Sequence, residues 1–373
     1  MERAITVTVD LGKREEWTAG ERAAELKELV VSAGAKVLKE FIARRERIEP
    51  ACYIGKGKMD EIAQACVETG ANLVVLNNDL SGTQQRNLEE VIGKKVIDRT
   101  QLILDIFARR AHSNEGKAQV ELAQLLYLLP RLTGKGIHLS RLGGGIGTVG
   151  PGEKKLEVDR RRIRDRIFRL KKELENLRSR RDMIRKKRER FSLPTIAIIG
   201  YTNVGKSTLL NALTASDVKV QDKLFSTLDP TVRRYSLPDK RNVLFVDTVG
   251  FIDQLPHNLV EAFKATLEEV VEADLLLHLI DVSHPKAKEQ SGAVYKVLEE
   301  IGVKGKPIVS VLNKIDKVTD KGVIEKAMAF FPDPIAISAV KKQGFEGLVK
   351  AIGDRLQAKI ACLPAGRQTL QGT

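Results

Sequence analysis

A glycine-rich loop with one lysine follows the apolar run Thr195 to Ile199. The loop reads Gly200-x4-Gly205-Lys206-Ser207, and the apolar-faced segment TLLNALT comes next. A strand, such a loop and a helix in this order are typical of a P-loop, in which backbone N–H groups at the helix start surround a phosphate. We expect Lys206 to neutralise β- and γ-phosphate oxygens and the Ser207 hydroxyl to bind Mg²⁺.

A carboxylate and a glycine end a second apolar run, in the segment LFVDTVG. Asp247 is placed to hold Mg²⁺ through a water, and the Gly250 N–H to sense a γ-phosphate, which makes the following loop a switch. Thr227 and Thr231 each offer a second hydroxyl to the ion, and chemistry alone does not choose between them.

Residues that can select a base follow two further runs. Asn313, Lys314 and Asp316 stand in VLNKID, where an aspartate accepting two hydrogen bonds from a guanine edge would reject adenine. In ISAV, the backbone of Ser338 and Ala339 can reach guanine O6. Because all these motifs come at carboxyl ends of predicted strands, we expect one GTP site at that edge of a sheet.

The elements that position this site alternate between strands and helices. Strand-like runs recur at TIAII, NVLFVD, LLLHLID, PIVSVLN and PIAIS, which indicates a doubly wound, mostly parallel sheet over residues 193–360. The tail 361–373 has no periodicity, and we expect it to be disordered.

A separate small α/β domain is predicted for residues 1–112. AITVTV (4–9) and NLVVLN (72–77) are typical of strands, and AAELKELVVSAG and KMDEIAQACVETG of helices closed by glycine. The segment GKGK (55–58) precedes a helix, where it could bind an anion or form a plain turn.

Residues 113–192 are predicted to form an antiparallel helical hairpin with a glycine-rich tip at 143–152. Its second helix, which we call the basic arm (Glu153 to Arg190), carries 18 Lys/Arg against 8 Asp/Glu, so +10 of the chain's net +14 lies there. This concentration favours contact with nucleic acid phosphates over a solvated face or a lipid surface. The arm's apolar seam comprises Ile163, Ile167, Leu170, Leu174, Leu177 and Ile184.

The tip GGGIGTVG contains the glycine spacing of a dinucleotide-binding turn. That turn requires a preceding strand, whereas a predicted helix leads into this loop, so we place the nucleotide elsewhere. The glycines would let backbone approach RNA closely, with a plain flexible turn as the alternative.

Composition fits this organisation. The chain has 373 residues, 42% of them hydrophobic, and only three cysteines, which argues against a disulfide framework or a Cys-rich metal site. We find no signal peptide and no apolar run long enough to span a membrane, so we expect a cytoplasmic protein.

Several longer motifs resemble the HflX family of GTPases, and residues 193–357 resemble the wider translation-factor class. They are GPGE (150–153), DRRRI (159–163), LFSTLDPTVRR (224–234), DTVGFI (247–252) and DLLLHLIDVS (274–283). The resemblance implies a GTPase that binds the large ribosomal subunit, separates stalled or idle ribosomes and presents its hairpin to ribosomal RNA. It also assigns Thr227 as the second hydroxyl ligand of Mg²⁺.

Three residues bear on mechanism. Phe251 stands where other GTPases have a water-orienting glutamine, so intrinsic hydrolysis is expected to be slow and to be stimulated by ribosomal particles. Asn203 resembles the asparagine of potassium-stimulated relatives, which makes K⁺ a candidate cation, although Asn203 could equally cap the loop. Val149 replaces an arginine common in the family, which puts a contact from that position in doubt.

The predicted site combines these motifs. Catalytic roles fall to Lys206, Thr227 and Gly250, and Mg²⁺ binding to Ser207, Thr227 and Asp247. The residues predicted to contact the nucleotide are Gly200, Tyr201, Thr202, Asn203, Val204, Gly205, Lys206, Ser207, Phe225, Ser226, Thr227, Leu228, Asp229, Asp247, Thr248, Val249, Gly250, Asn313, Lys314, Ile315, Asp316, Ser338, Ala339 and Val340. We expect a monomer. Two alternative functions stay open: a GTP-switch scaffold for a protein partner and a large-subunit maturation factor. A third alternative is an N-terminal nucleotide site around 55–58.

Overall fold

The computed structural model describes residues 1–12, 17–132, 151–190, 193–214, 224–254, 256 and 264–361. Most of the predicted tip loop, 143–150, and the tail from 362 onward lie outside these residues. The chain divides into two compact units. Met1–Arg178 and Pro256 belong to the first, and the other described residues from Ser179 onward belong to the second, so one boundary falls inside the helix that contains the basic arm. The predicted domain limits at residues 112, 192 and 360 stay predictions.

The first unit contains a four-stranded sheet in the order β2-β1-β3-β4, with every neighbouring pair parallel. Its strands are β1 (Arg3–Asp10), β2 (Lys36–Arg44), β3 (Leu73–Leu76) and β4 (Lys95–Ile97). Its helices are α1 (Ala19–Ser32), α2 (Lys56–Thr69), α3 (Gly82–Ile92), α4 (Arg99–Arg110) and α5 (Asn114–Leu128). The long helix α6 (Pro151–Arg190) begins in this unit and ends in the second. The predicted small α/β domain with a parallel sheet is confirmed.

Local signals explain where these helices start and stop. Thr18 and Ser81 each close a capping box at the starts of α1 and α3, and Gly70 and Gly93 adopt the left-handed conformation after α2 and α3. The GKGK segment forms the start of α2, with Gly55 at the N-cap.

The carboxyl edge of this first sheet is held together by polar contacts. Asp98, fully buried after β4, accepts hydrogen bonds from the N–H groups of Leu80 and Gln101 and from the Arg131 guanidinium, which lies 3.0 Å away. The ring of Tyr127 stacks on that guanidinium, with its centre 3.4 Å from Cζ. A second group of contacts joins Arg99 to Glu25 (2.6 Å) and to Asn77 (2.9 Å).

The helix pair α5 and α6 packs through an apolar seam. Ala118 and Leu122 of α5 form a buried cluster with Ile167 and Leu170 of α6, against which Ile163 and Leu174 also pack. The first helix of the hairpin, α5, stops at Leu128, and a 3-10 turn covers Leu129–Leu132. Pro130 explains this, because proline has no N–H to donate in an α-helix and its ring clashes with the preceding turn.

The second unit contains a six-stranded sheet in the order β10-β9-β8-β5-β7-β6. Its strands are β5 (Thr195–Gly200), β6 (Thr231–Ser236), β7 (Asn242–Asp247), β8 (Leu275–Asp281), β9 (Ile308–Asn313) and β10 (Ile335–Ala336). Its helices are α7 (Lys206–Thr214), α8 (Lys264–Glu272), α9 (Ala287–Glu300), α10 (Lys321–Phe330) and α11 (Phe345–Ala361), with a 3-10 turn at Ile315–Lys317. All pairings are parallel except that of β6 with β7, which confirms the predicted fold class.

Two details of this sheet differ from the sequence-based prediction. The fifth predicted strand, PIAIS, is reduced to the two residues of β10. The edge strand β6 was not predicted, because its residues are half-buried or exposed and show no apolar alternation. Among the described helices of both units, none has the length and apolar content to cross a bilayer.

Candidate functional site

The P-loop connects the central strand β5 to α7, as its sequence predicts. Gly205 has a φ of +97°, and a Cβ there would lie 2.6 Å from Asn313 Nδ2, so the turn requires glycine at this position. Asn203 also has a positive φ, of 62°. The loop therefore runs close to the strand end that carries the predicted base-selecting residues.

Lys206 is buried at the first position of α7, with 7% of its surface exposed. Its ammonium donates to the carbonyl oxygens of Tyr201, at 2.7 Å, and Gly200, at 3.1 Å. Burial lowers the pKa of Lys206 to about 8, a shift that the nearby Asp247 carboxylate partly offsets. The ammonium thus points along the inside of the loop that a phosphate would occupy.

Three oxygen-bearing side chains meet beside this lysine. Asp247 Oδ2 accepts from Ser207 Oγ at 2.6 Å and from Thr227 Oγ1 at 3.1 Å, and the two hydroxyl oxygens lie 2.8 Å apart. Burial raises the pKa of Asp247, and the hydrogen bond from Ser207 opposes that rise. Of the two threonines that chemistry left open, Thr227 makes these contacts, whereas Thr231 is a ladder partner of Asp247 in β6.

This oxygen cluster suits a hard divalent cation. Asp247 Oδ1 is buried and has no hydrogen-bond partner among the described residues, so one carboxylate oxygen remains available to an ion or to its bound water. Within the described part of the chain, no group of three or more His, Cys, Asp or Glu side chains offers another metal site. The donors at Ser207, Thr227 and Asp247 therefore fit Mg²⁺.

Gly250 and Phe251 lie against the P-loop. A Cβ on Gly250 would lie 2.8 Å from Thr202 Cγ2 and 3.1 Å from Lys206 Nζ, so glycine is required by close approach. The Phe251 N–H donates to Gly200 O at 3.1 Å, and the Thr202 N–H donates to Phe251 O at 2.7 Å. The Phe251 ring is buried, with 1% exposed, and belongs to the core of the unit.

The predicted base-selecting residues meet at the other end of the loop. Asn313 Nδ2 donates to Val204 O at 2.8 Å, and Asn313 Oδ1 accepts from the Ala339 N–H at 3.0 Å. Asp316 Oδ1 accepts from Ser338 Oγ at 2.6 Å, and this hydrogen bond lowers the pKa of Asp316. The carboxylate is therefore held ionised, as an acceptor of guanine N–H groups must be.

Asp281 is a residue of this site that the sequence analysis missed. Its carboxylate forms an ion pair of 2.7 Å with Lys314, whose ammonium also donates to Asn203 O at 2.7 Å. The other carboxylate oxygen accepts from the N–H and Oγ of Ser283. Asp281 is the last residue of β8, and other site residues also lie at the carboxyl ends of their strands. This position could have identified Asp281 from the sequence.

A cavity of about 220 Å³ brings most of the predicted residues together. Those that line it are Thr202, Asn203, Gly205, Lys206, Ser207, Phe225, Ser226, Thr227, Gly250, Asn313, Lys314, Asp316, Ala339 and Val340. Thr208 and Lys317 line it too, and neither was predicted. The remaining predicted residues do not line it: Gly200, Tyr201, Val204, Leu228, Asp229, Asp247, Thr248, Val249, Ile315 and Ser338.

The doubly wound sheet, the P-loop and this cavity together define a P-loop GTPase. Comparison with known families agrees: residues 20–108, 110–188 and 195–314 match models described as "GTP-binding GTPase N-terminal", "GTP-binding GTPase Middle Region" and "50S ribosome-binding GTPase". The chain belongs to the HflX family of GTPases, and it binds and hydrolyses GTP.

Similar proteins support this assignment over nearly the full length. "GTPase HflX" of Caldanaerobacter subterraneus subsp. tengcongensis is 52% identical over 351 residues, covering 94% of this chain and 80% of the relative. "GTPase HflX" of Escherichia coli K12 is 45% identical over 338 residues, covering 90% and 79%. The solved structure "crystal structure of SsGBP and GDP complex" is 30% identical, with a TM-score of 0.51, and the match covers 97% of this chain and 100% of that chain.

Proposed function

We propose that this GTPase associates with the large ribosomal subunit and separates stalled or idle ribosomes, with its basic arm contacting ribosomal RNA. The observation that carries the proposal is the net charge of +10 between Glu153 and Arg190. The description "50S ribosome-binding GTPase", which belongs to the model matching residues 195–314, supports the same partner. A monomer acting in the cytoplasm is part of the proposal.

The geometry of α6 supports contact with a polyanion. The helix has 40 residues, a length of about 60 Å. Its apolar seam packs against α5, and four of its arginines, Arg161, Arg162, Arg164 and Arg169, are exposed. A long rigid helix with cations on several sides suits RNA, which proteins recognise largely through shape and phosphates.

The residue roles in the GTP site form the second part of the proposal. Lys206 exchanges its two carbonyl partners for β- and γ-phosphate oxygens, and the N–H groups of the P-loop bind the β-phosphate. Ser207, Thr227 and Asp247 hold Mg²⁺, which when bound offsets the charge that develops on the phosphates. Gly250 presents its N–H to the γ-phosphate.

Guanine selection falls to Asp316, with Asn313 and the backbone of Ala339 shaping the base pocket. Asp281 acts as a positioning residue, because its ion pair holds Lys314 against the carbonyl of Asn203 in the P-loop. The pocket for the base and the loop for the phosphates are therefore fixed relative to each other.

Hydrolysis by the isolated protein is proposed to be slow. The buried Phe251 side chain offers no hydrogen bond to a nucleophilic water, so another group must orient it. K⁺ beside Asn203 is the proposed additional cation. Ribosomal particles supply the remaining stimulation by ordering the loops around the γ-phosphate.

The test measures GTP hydrolysis by the purified full chain with and without purified large ribosomal subunits at low salt. We expect at least roughly 10-fold stimulation. Absence of stimulation would overturn the ribosome proposal while leaving the GTPase assignment intact.

A charge-reversal variant tests the arm itself. Arg166 stays unchanged because its guanidinium binds Glu121 of α5 at 2.6 and 2.7 Å. The four changes are Arg161→Glu, Arg162→Glu, Arg164→Glu and Arg169→Glu. The matched control reverses four exposed lysines of the second unit: Lys240→Glu, Lys304→Glu, Lys326→Glu and Lys350→Glu.

We expect the arm variant to lose co-sedimentation with large subunits and the control to keep it. The slope of log affinity against log salt should also fall in the arm variant, because fewer phosphates are neutralised. Unchanged co-sedimentation of the arm variant would favour the scaffold alternative, in which GTP switches affinity for a protein partner. A preference for immature over mature large subunits would favour the maturation alternative.

A further inference from the structure

One aromatic side chain lies on the outward side of the basic arm. Phe168 of α6 is 71% exposed, the highest exposure of any aromatic side chain in the described part of the protein. Its neighbours Ile167 and Leu170 are 9% and 1% exposed and belong to the seam with α5. The same stretch of helix therefore buries its aliphatic residues and leaves its phenylalanine in solvent.

The charges around Phe168 are mainly positive. Residues three and four positions away on a helix lie beside each other on its surface, which places Arg164, Lys171 and Lys172 next to the ring, with Asp165 as the one acidic neighbour at that spacing. Arg164, Lys171 and Lys172 are all exposed. A single exposed apolar residue is common on proteins, but an exposed ring between three cations is a specific combination.

Another exposed phenylalanine in the molecule has a different environment. Phe330 at the end of α10 is 51% exposed, but it packs edge-on against Phe331, with ring centres 4.9 Å apart, and Lys288 Nζ lies 4.5 Å from its centre. Within the described residues, no ring or cation packs on Phe168 in this way. Most of the Phe168 side chain is thus accessible to a partner.

We propose that Phe168 stacks on an unpaired base of ribosomal RNA, while Arg164, Lys171 and Lys172 bind the phosphates on either side of that base. This inference rests on the proposed function, since it specifies what the basic arm recognises. Aromatic side chains beside cations are the usual means by which proteins bind single-stranded nucleotides: the ring takes the base, and the cations take the backbone.

The charge pattern favours RNA over a protein partner. A protein pocket for phenylalanine would have to accommodate three cations at its rim, whereas an RNA loop or bulge supplies a base and negative phosphates together. An A-form duplex offers no accessible base face, so the proposed contact is a bulged, looped or terminal nucleotide.

The test compares full-length variants for affinity to purified large subunits. Phe168→Leu and Phe168→Ala remove the ring, Phe168→Trp keeps an aromatic face, and Val158→Ala is the control for loss of exposed apolar surface on the same helix. We expect about 10-fold weaker binding without the ring, nearly unchanged binding with tryptophan and in the control, and an unchanged salt slope in all four. Thermal unfolding checks that each variant is folded.

A photocrosslinking amino acid at position 168 then identifies the occupant. Crosslinks to RNA support the proposal, whereas crosslinks to a ribosomal protein or to the chain itself overturn it. If the parent chain binds large subunits and Phe168→Leu binds equally well, the stacking inference fails and the proposed function stands. If the parent chain does not bind large subunits at all, the proposed function fails first.

Discussion

The protein contains two parallel sheets whose carboxyl edges bear polar residues, and the two edges are organised differently. At the edge of β5, β7, β8 and β9, the polar groups surround a cavity of about 220 Å³. At the edge of β1, β3 and β4, Asp98 and Arg99 bind residues from other elements of their own unit, with contacts of 2.6 to 3.0 Å.

The fold brings polar residues to the carboxyl edge of both sheets, but the contacts of each residue determine whether it stabilises the fold or binds a ligand. Asp247 and Asp98 are both fully buried aspartates next to a strand end. Asp98 has hydrogen bonds to both oxygens, whereas Asp247 keeps Oδ1 without a partner in the described structure. We infer that the Asp98 carboxylate stabilises the fold and that the Asp247 carboxylate serves a ligand.

We expect the strongest loss of GTP hydrolysis from a substitution at Asp247. We expect Asp247→Asn to reduce GTP hydrolysis by at least about 100-fold, because the amide weakens the hold on Mg²⁺ without changing the shape of the site. Steady-state phosphate release is the measurement. The control is Asp239→Asn at the exposed β6–β7 turn, and a comparable loss in that control, or full activity in Asp247→Asn, would contradict the assignment.

Asp98→Ala should lower the stability of the first unit and leave GTP binding unchanged. It removes the acceptor of two N–H groups and the only carboxylate that the Arg131 guanidinium binds among the described residues, so we expect the free energy of unfolding of the first unit to fall by about 3 kcal/mol. GTP affinity, measured well below the unfolding temperature, should not change. Denaturant titration measures the stability, and Asp60→Ala on the exposed side of α2 is the control. A loss of GTP affinity without a loss of stability would contradict the structural role assigned to Asp98.

Asp281→Asn should weaken GTP binding moderately. The variant keeps an acceptor for Ser283 but removes the charge that pairs with Lys314, so we expect GTP affinity to fall about 10-fold with little change in the maximal rate of hydrolysis. Asp333→Asn, which removes an exposed ion pair with Arg355, is the matched control. Equal affinities in the two variants would remove Asp281 from the site.

The smallest effect is expected at an exposed contact outside both edges. The hydrogen bond from Arg166 lowers the pKa of Glu121, so the contribution of this pair to stability is present above the ordinary glutamate value of 4.5 and is lost as the pH falls through the lowered value. The stability difference between the parent chain and Glu121→Gln should therefore be small at neutral pH and vanish in acid. The exposed Glu325→Gln is the control for the loss of one surface carboxylate.

The motifs at the carboxyl edge of β5, β7, β8 and β9 could be recognised in the sequence because they are local. The P-loop, Asp247 and the Asn313 to Asp316 segment each combine a buried strand with a polar or glycine-rich end, and that combination is visible in a few residues. The spacing of apolar residues in the basic arm also predicted its seam. Ile163, Ile167, Leu170 and Leu174 pack on α5 as expected, whereas Leu177 is not part of that cluster.

What escaped prediction depends on contacts between distant segments. Asp281 acquires its role only when β8 and β9 lie side by side and bring Lys314 within reach. Strand β6 is defined by its partner β7 rather than by its own apolar pattern. The network around Asp98 joins residues up to 51 positions apart, from Leu80 to Arg131, and no regular spacing in the sequence relates them.

The pairing between Phe251 and the P-loop has a mechanical consequence. Its two backbone hydrogen bonds extend the pairing of β5 and β7 past the end of β7, and the buried Phe251 ring holds this extension in the core. Gly250 is thereby tied to the phosphate-binding loop from its carboxyl side. Any pivot of the following segment would therefore lie after Phe251, and the Gly250 N–H, which we propose to contact the γ-phosphate, would keep its place beside the P-loop.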